Sequence, residues 1–154
     1  MKHSLHRDLV LVMSDLARMV RTLADARARD HGMTRAQWMI LVRLDRQPGM
    51  SQNELAALIE VEPITVGRLI DRLERRGMVK RCADPSDRRV WRLRLTEAAR
   101  PMLKEIMKAR AEINDILTAG LPKKALETVV DCLLHMKTNV KSNMAGARAG
   151  EKIA

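Results

Sequence analysis

Basic residues recur at helical spacing in the middle of the chain, where Thr65, Arg68, Arg72 and Arg75 lie three or four positions apart. Residues at this spacing share one face of an α-helix. Guanidinium groups bind phosphates and guanine edges, and a threonine hydroxyl can contact a phosphate or a base. The chemistry available to this face is therefore recognition of a polyanion, and nucleic acid is the first expectation.

The positive charge of the chain is concentrated beside this face. The chain has 29 Lys and Arg against 19 Asp and Glu, a formal charge of +10. Ten basic and four acidic residues between positions 68 and 94 give that segment a net charge of +6. A solvated surface would spread the excess along the chain, whereas a phosphate-binding footprint concentrates it. The distribution favours DNA over an anionic membrane surface.

Composition excludes several other classes of protein. With two Trp and no Phe or Tyr among 154 residues, the core must be aliphatic and methionine-rich, and modules that stack single-stranded bases on aromatic platforms are disfavoured. No apolar run reaches the roughly 20 residues that span a bilayer, and no signal peptide is predicted. Cys82 and Cys132 form no disulfide framework, which fits a reducing compartment. We therefore expect a cytoplasmic protein that does not bind membranes. Cys132 falls within an apolar helix and is expected in the core.

Apolar periodicity predicts six helices and one hairpin. Thr34 with Gln37, and Ser51 with Glu54, form capping-box patterns at two helix starts, and Thr96 is expected to cap the fifth helix. The predicted helices are 5–29, 34–44, 51–59, 63–77, 96–117 and 122–141. Residues 78–81 and 90–95 are predicted strands, joined by a turn at residues 84–87. Residues 142–154 lack periodicity and are expected to be a disordered tail.

Two short helices joined by a tight turn and followed by a basic hairpin are typical of a winged helix-turn-helix. The predicted fold class is mainly α with a small β-hairpin wing, in a single domain over residues 1–154. The winged helix-turn-helix spans residues 34–95. Its second short helix is the one expected to enter the major groove of DNA.

The segment from residue 51 to 96 resembles the MarR family of bacterial transcription regulators, most specifically in the run DRLERRGMVKR with DPSDRR and LRLTEAA after it. The order of the six helices is similar to the family's plan over the whole chain. The resemblance implies a homodimer, with the N- and C-terminal helices over residues 5–29 and 97–141 contributing to dimerisation. It also implies a repressor that a small ligand, aromatic and anionic in many relatives, releases from a pseudo-palindromic operator.

The resemblance supplies seven of the expected DNA contacts. It places four of them at the front of the second short helix, the recognition helix, namely Pro63, Thr65, Gly67 and Arg68. It places the other three at the wing tip, namely Asp87, Arg88 and Arg89. Ser51 and Gln52 are added as phosphate contacts at a helix N-terminus, with simple capping the alternative for Ser51. Gly67 allows either close approach of DNA or close packing, and Asp87 is expected to hold a wing arginine in a salt bridge. The full expected set is Ser51, Gln52, Pro63, Thr65, Gly67, Arg68, Arg72, Asp87, Arg88 and Arg89.

The resemblance also implies a ligand pocket between the dimerisation helices and the winged part. The lining expected by analogy is Met13, Ala17, Trp38, Met39, Met102 and Ile106, with Arg18 or Arg35 supplying charge. No catalytic motif or metal-ligand spacing is found, so we expect no enzyme activity, metal or cofactor. A nucleoid-type protein that binds DNA without sequence preference and a dimeric protein-interaction module are the two alternative functions.

Overall fold

The computed structural model describes residues 8–87 and 89–150, and it has the mainly α fold with a hairpin that the sequence predicts. The elements are α1 (Leu9–Asp30), α2 (Arg35–Arg46), α3 (Gln52–Ile59), α4 (Pro63–Arg75), β1 (Val79–Ala83), β2 (Trp91–Leu95), α5 (Arg100–Thr118) and α6 (Lys123–Gly150). The sequence predicts one domain, whereas the chain divides into two compact units, residues 1–113 and residues 114–154. None of residues 114–144 is buried, so the part of the second unit whose burial is described contributes no core residue.

Both predicted capping boxes are confirmed. Thr34 Oγ1 accepts the backbone N–H of Gln37 at 3.2 Å, and Gln37 Oε1 accepts the backbone N–H of Thr34 at 2.9 Å. The Ser51 hydroxyl oxygen and the Glu54 carboxylate make the same exchange at 3.2 and 2.7 Å. These side chains satisfy N–H groups that a helix start leaves without partners, so they determine where α2 and α3 begin.

The core of residues 8–113 is aliphatic, as predicted. Side chains at three- and four-residue steps along α4 are buried against others from α2, α3 and the hairpin; they are Val66, Leu69, Ile70 and Leu73. Trp38 is the one aromatic residue in this core cluster, and two methionines, Met33 and Met50, are buried there. Because α4 buries one face, its opposite face is turned outward.

The hairpin is anchored to the helices through backbone hydrogen bonds. β1 and β2 pair antiparallel, with Val79 opposite Leu95 and Ala83 opposite Trp91. The connection between α2 and α3 runs along β2, where the N–H of Gly49 donates to the carbonyl of Leu93 and the N–H of Leu93 donates to the carbonyl of Met50. The wing is thus held to the start of α3 by main chain as well as by side chains.

Two predicted helix boundaries are wrong. Thr96 makes no side-chain cap hydrogen bond, because its hydroxyl donates to the carbonyl of Gly77; a short 3₁₀ turn follows, and α5 begins at Arg100. The helix α6 continues to Gly150, although a tail is predicted from residue 142. Apolar periodicity predicts a helix only where one helix face is buried. Ala, Met and Arg favour the helical conformation even where no face is buried, so the helix continues beyond the periodic part. Residues 5–7 and 151–154 of the predicted elements lie outside the described residues.

Large apolar side chains are exposed on both terminal helices. On α1 they include Leu9, Val12, Leu16 and Met19, and on α6 Val129, Val130, Leu133, Leu134 and Val140. Cys132 on α6 is also exposed, so its predicted place in the core is wrong for the single chain. None of the described helices is both long enough and apolar enough to cross a membrane.

The cap of α3 gives a test of stability. We expect Ser51→Ala to lower the free energy of unfolding by about 1 kcal/mol, because the N–H of Glu54 loses its acceptor. Ser51→Asn should restore most of that loss, since asparagine is an equally good cap. Urea unfolding at neutral pH measures both variants, and an unchanged midpoint for Ser51→Ala would contradict the assignment.

Candidate nucleic-acid interface

The outward face of α4 carries positive charge without compensation. Thr65, Arg68, Arg72 and Arg75 are all exposed, on the face opposite the buried apolar residues. None of these three arginines forms a salt bridge within residues 8–87 and 89–150. Arg75 donates from Nε to the backbone carbonyl of Asp71 at 3.3 Å, and the other guanidinium donors of these arginines are available to an anionic partner.

The carboxylates of α4 are occupied elsewhere. Arg81 on β1 pairs with Asp71 at 2.6 Å through its Nη2 and with Glu74 through its Nη1. These ion pairs fasten the first strand of the wing to α4. Both acidic groups of the helix thus pair with Arg81 and not with Arg68 or Arg72, so the helix has a cationic side and a neutralised side.

The front of α4 is packed against the start of α3. Gln52 donates a hydrogen bond from Nε2 to the carbonyl of Pro63 at 3.0 Å, and a Cβ at Gly67 would lie 3.0 Å from the same Nε2. The structure therefore supports the packing role for Gly67. The backbone N–H of Ser51 is likewise engaged by Glu54, which supports its capping role.

Asp84 organises the turn of the wing. Its carboxylate accepts hydrogen bonds from the backbone N–H and hydroxyl of Ser86, from the backbone N–H of Asp87 and from Arg92 Nε. The hydrogen bond from the Ser86 hydroxyl, followed by that from Arg92, holds the pKa of the Asp84 carboxyl well below its usual range. Asp84 is 8 % exposed, so its charge is stabilised by donors rather than by water.

The expected salt bridge of Asp87 is not seen among the described residues. Asp87 Oδ1 accepts the backbone N–H of Arg89 at 2.9 Å, while Asp84 is the carboxylate that pairs with an arginine side chain. Arg89 is exposed beside the turn. Arg88, the other expected wing-tip contact, lies outside the described residues.

Arg92 links the wing to α3. Its Nη1 donates to Glu54 at 3.1 Å while its Nε pairs with Asp84. Glu54 also caps α3, and the hydrogen bond from the Ser51 N–H, with a smaller contribution from Arg92, lowers its pKa. Asp84 and Arg92 are positioning residues that the sequence analysis does not predict. The signal that could have indicated Arg92 is its place on β2, where it is next to the buried Leu93.

A cavity of about 320 Å³ lies between α1, α2 and α5. Its apolar wall includes Trp38, which is 5 % exposed and whose indole N–H has no hydrogen-bond partner. Arg35 pairs with Asp25 at 3.2 Å, whereas the other four lining arginines form no salt bridge within the described part of the chain. The lining is Val20, Arg21, Ala24, Arg35, Trp38, Met39, Val42, Arg43, Arg46, Ile106 and Arg110.

The structure brings four of the eight expected pocket residues to this cavity, namely Arg35, Trp38, Met39 and Ile106. Met13, Ala17, Arg18 and Met102 do not line it. Met13 and Ala17 are exposed, Arg18 pairs with Asp15, and Met102 packs against the core. The cavity contacts α1 at Val20, Arg21 and Ala24, one to two turns closer to the C-terminus of the helix than expected. Arg43 and Arg46 could have been found from their helical spacing after Met39.

The remaining candidates for chemistry are a free cysteine and metal-ligating side chains. Cys82 is half-buried on β1, opposite Arg92, and is not in a disulfide. No group of three or more His, Cys, Asp or Glu side chains in the described ranges is arranged to hold a metal ion.

Comparison with known proteins finds similarity to transcriptional regulators. The model of the MarR family matches residues 33–91. The transcriptional regulator SlyA is 28% identical, covers 88% of this chain and 96% of its own, and has a TM-score of 0.76. A probable transcriptional regulator from Pseudomonas aeruginosa is 29% identical over 86% of this chain and 99% of its own, with a TM-score of 0.71. CouR from Rhodococcus jostii RHA1, solved with p-coumaroyl-CoA, is 26% identical over 88% of this chain and 95% of its own, with a TM-score of 0.74.

The low pKa of Asp84 predicts how stability depends on pH. Because the pKa in the folded state is below the value of about 4 in an unfolded chain, the ionised carboxylate stabilises the fold above that pH. The stabilisation is lost as the pH falls further toward the folded pKa. We therefore expect Asp84→Asn to be less stable than wild type at pH 7, with the difference narrowing by pH 3.

Unfolding in urea across this pH range measures the difference, with Asp115→Asn as a control that removes one exposed carboxylate from α5. A difference between wild type and Asp84→Asn that stays constant from pH 7 to pH 3 would contradict the role assigned to Asp84.

Proposed function

Because the chain carries a MarR-family winged helix-turn-helix domain over residues 33–91, we propose that it is a homodimeric transcriptional repressor that binds double-stranded DNA sequence-specifically. The observation that carries the proposal is the outward face of α4, with three exposed arginines that no carboxylate of the described residues neutralises. A protein with this function works in the cytoplasm, where its operator is.

The proposed docking places α4 in the major groove and the wing over the adjacent minor groove. Thr65 and Arg68, near the start of α4, are the side chains for base edges. Arg89, with Arg88, is the wing contact, since a narrow minor groove has an enhanced negative potential. Arg81 acts as the positioning residue that holds the wing against α4, and Arg92, itself held by Asp84, is the positioning residue that holds it against α3.

A second copy of the chain is the proposed partner of the exposed apolar residues on α1 and α6. Soluble monomers rarely expose contiguous apolar surface of this kind, and helices with one uncovered apolar side are common at dimer interfaces. A dimer also supplies two recognition helices. These would read half-sites about one helical turn apart, roughly 10 base pairs, on one face of the DNA.

The cavity beside Trp38 is the proposed ligand site. Arginines attract an anion, the apolar wall suits an aromatic group, and the buried indole N–H offers a donor whose lack of a partner costs about 1–3 kcal/mol. The relative CouR was solved with an aromatic thioester of coenzyme A, p-coumaroyl-CoA. Release from DNA follows if the ligand binds more tightly to a dimer whose recognition helices no longer match the half-sites.

The first prediction from this proposal concerns Arg68. We expect the wild-type protein to prefer the duplex immediately upstream of its own gene over a scrambled duplex at the same salt concentration. Arg68→Ala should reduce this preference by about 5- to 150-fold, because removing a side chain that reads a base costs about 1–3 kcal/mol. Fluorescence anisotropy across a salt series measures both affinities.

The outcomes separate the alternative functions. Equal wild-type affinity for the two duplexes contradicts specific binding and favours a nucleoid-type protein. A folded dimer that binds neither duplex at low salt contradicts DNA binding and favours an interaction module. Lys104→Ala, which removes one charge from an exposed position on α5, is the matched control and should keep the wild-type preference.

The second prediction concerns the cavity. In Trp91→Phe the one remaining tryptophan is Trp38, so its emission should change on addition of p-coumarate or p-coumaroyl-CoA. Arg43→Ala in the same background should weaken binding about tenfold or more, since charge-assisted hydrogen bonds contribute about 1.5–3 kcal/mol. If neither compound changes the emission, this ligand class is wrong.

A further inference from the structure

A groove lined by arginines continues the outward face of α4 onto the corner between α1 and α2. It has a volume of about 480 Å³, and its walls are the C-terminal half of α4 and the corner where α1 meets α2. Arg72 and Arg75 line it from α4, and Arg29 lines it from α1. No Asp or Glu of the described residues is part of the lining.

The two walls of the groove are tied together by one arginine. The guanidinium of Arg76 donates to the carbonyls of Gly32 at 3.1 Å and His31 at 3.4 Å. By contrast, Arg29, Arg72 and Arg75 form no salt bridge within the described ranges. The groove therefore holds three guanidinium groups whose charge is uncompensated, on walls whose spacing is fixed.

A neutral donor lies beside these charges. Thr34, the N-cap of α2, and Gln37, in its first turn, also line the groove, and the N–H and hydroxyl of Thr34 are engaged by Gln37. Gln37 is only 5 % exposed; its Oε1 accepts from Thr34, and its amide nitrogen donates to no group in the described part of the chain. The positive end of the α2 dipole lies at the same place. An oxyanion in the groove would meet both charge and hydrogen-bond donors.

We propose that this groove binds a backbone phosphate of DNA, so that the corner between α1 and α2 is part of the DNA interface. The inference rests on the proposed function and extends it to Arg29, Thr34 and Gln37. The groove is continuous with the recognition face, because Arg72 and Arg75 lie on the same face of α4 as Thr65. A rise of 1.5 Å per residue places Arg75 about 15 Å beyond Thr65, comparable with the major-groove width of about 12 Å.

At that distance, the C-terminal end of α4 would reach the DNA strand that borders the major groove. A free phosphate ion has the same chemistry as a backbone phosphate. We favour DNA because the arginines that line the groove continue the face that reads the bases.

The test is the salt dependence of binding to a random-sequence duplex of about 30 base pairs, long enough for two half-sites. The slope of log affinity against log salt concentration falls by about 0.9 for each phosphate that a subunit no longer neutralises. We expect Arg29→Ala and Arg75→Ala each to reduce the slope by about 0.9 per subunit. Arg29→Lys should keep it, and Lys104→Ala, the charge-matched control, should leave it unchanged.

A second readout separates phosphate binding from base recognition. Phosphate contacts position the protein without reading sequence, so Arg29→Ala should weaken binding to the upstream and scrambled duplexes by the same factor. Arg68→Ala should instead change their ratio. Arg29 and Arg75 are exposed and are not part of the core, and a urea midpoint close to that of wild type confirms that the variants fold.

The outcomes distinguish failure of the inference from failure of the proposed function. If the wild-type protein binds DNA and Arg29→Ala keeps the wild-type slope, the phosphate assignment alone is overturned. The same holds if inorganic phosphate binds the wild type and not Arg29→Ala while the DNA slope is unchanged, since the groove then takes a free anion. A wild-type protein that binds neither duplex overturns the proposed function together with this inference.

Discussion

The buried face of α4 is the constraint on which the rest of the structure depends. Val66, Leu69, Ile70 and Leu73 pack into the core, and each fully buried aliphatic side chain contributes about 1.5–3 kcal/mol. Rotating the helix about its axis would expose them, so the orientation of α4 is fixed by packing. The arginines on its opposite side face outward for the same reason. The cationic surface is thus a consequence of the core rather than a separate feature.

Arginines have two distinct roles in this chain, and their neighbours decide which. Arg81 and Arg92 meet carboxylates and fasten the wing to α4 and α3, while Arg76 meets backbone carbonyls and joins α4 to the corner between α1 and α2. Arg68 and Arg72 meet no such partner among the described residues. The paired arginines fasten the elements to one another, and the unpaired ones leave positive charge exposed on the outward face of α4.

The sequence predicts the parts of the fold that depend on local chemistry. The capping boxes at Thr34 and Ser51 and the apolar face of α4 are short-range patterns, and the structure confirms them. The pairing of Asp84 with Arg92 does not follow from the sequence, because it requires the register of the hairpin. The position of the cavity along α1 depends on how the helices cross, which periodicity does not report. The sequence predicts a helix cap at Thr96 because local patterns do not reveal its long-range acceptor, the carbonyl of Gly77.

Under the proposed function, a dimer reads a specific DNA sequence through the outward face of α4. The most direct test is selection of duplexes from a random pool by the purified protein, followed by sequencing of those retained. We expect enrichment of two inverted half-sites about one helical turn apart, and disappearance of that enrichment in Arg68→Ala. A wild-type protein that binds the pool and leaves its sequence composition unchanged would contradict the claim.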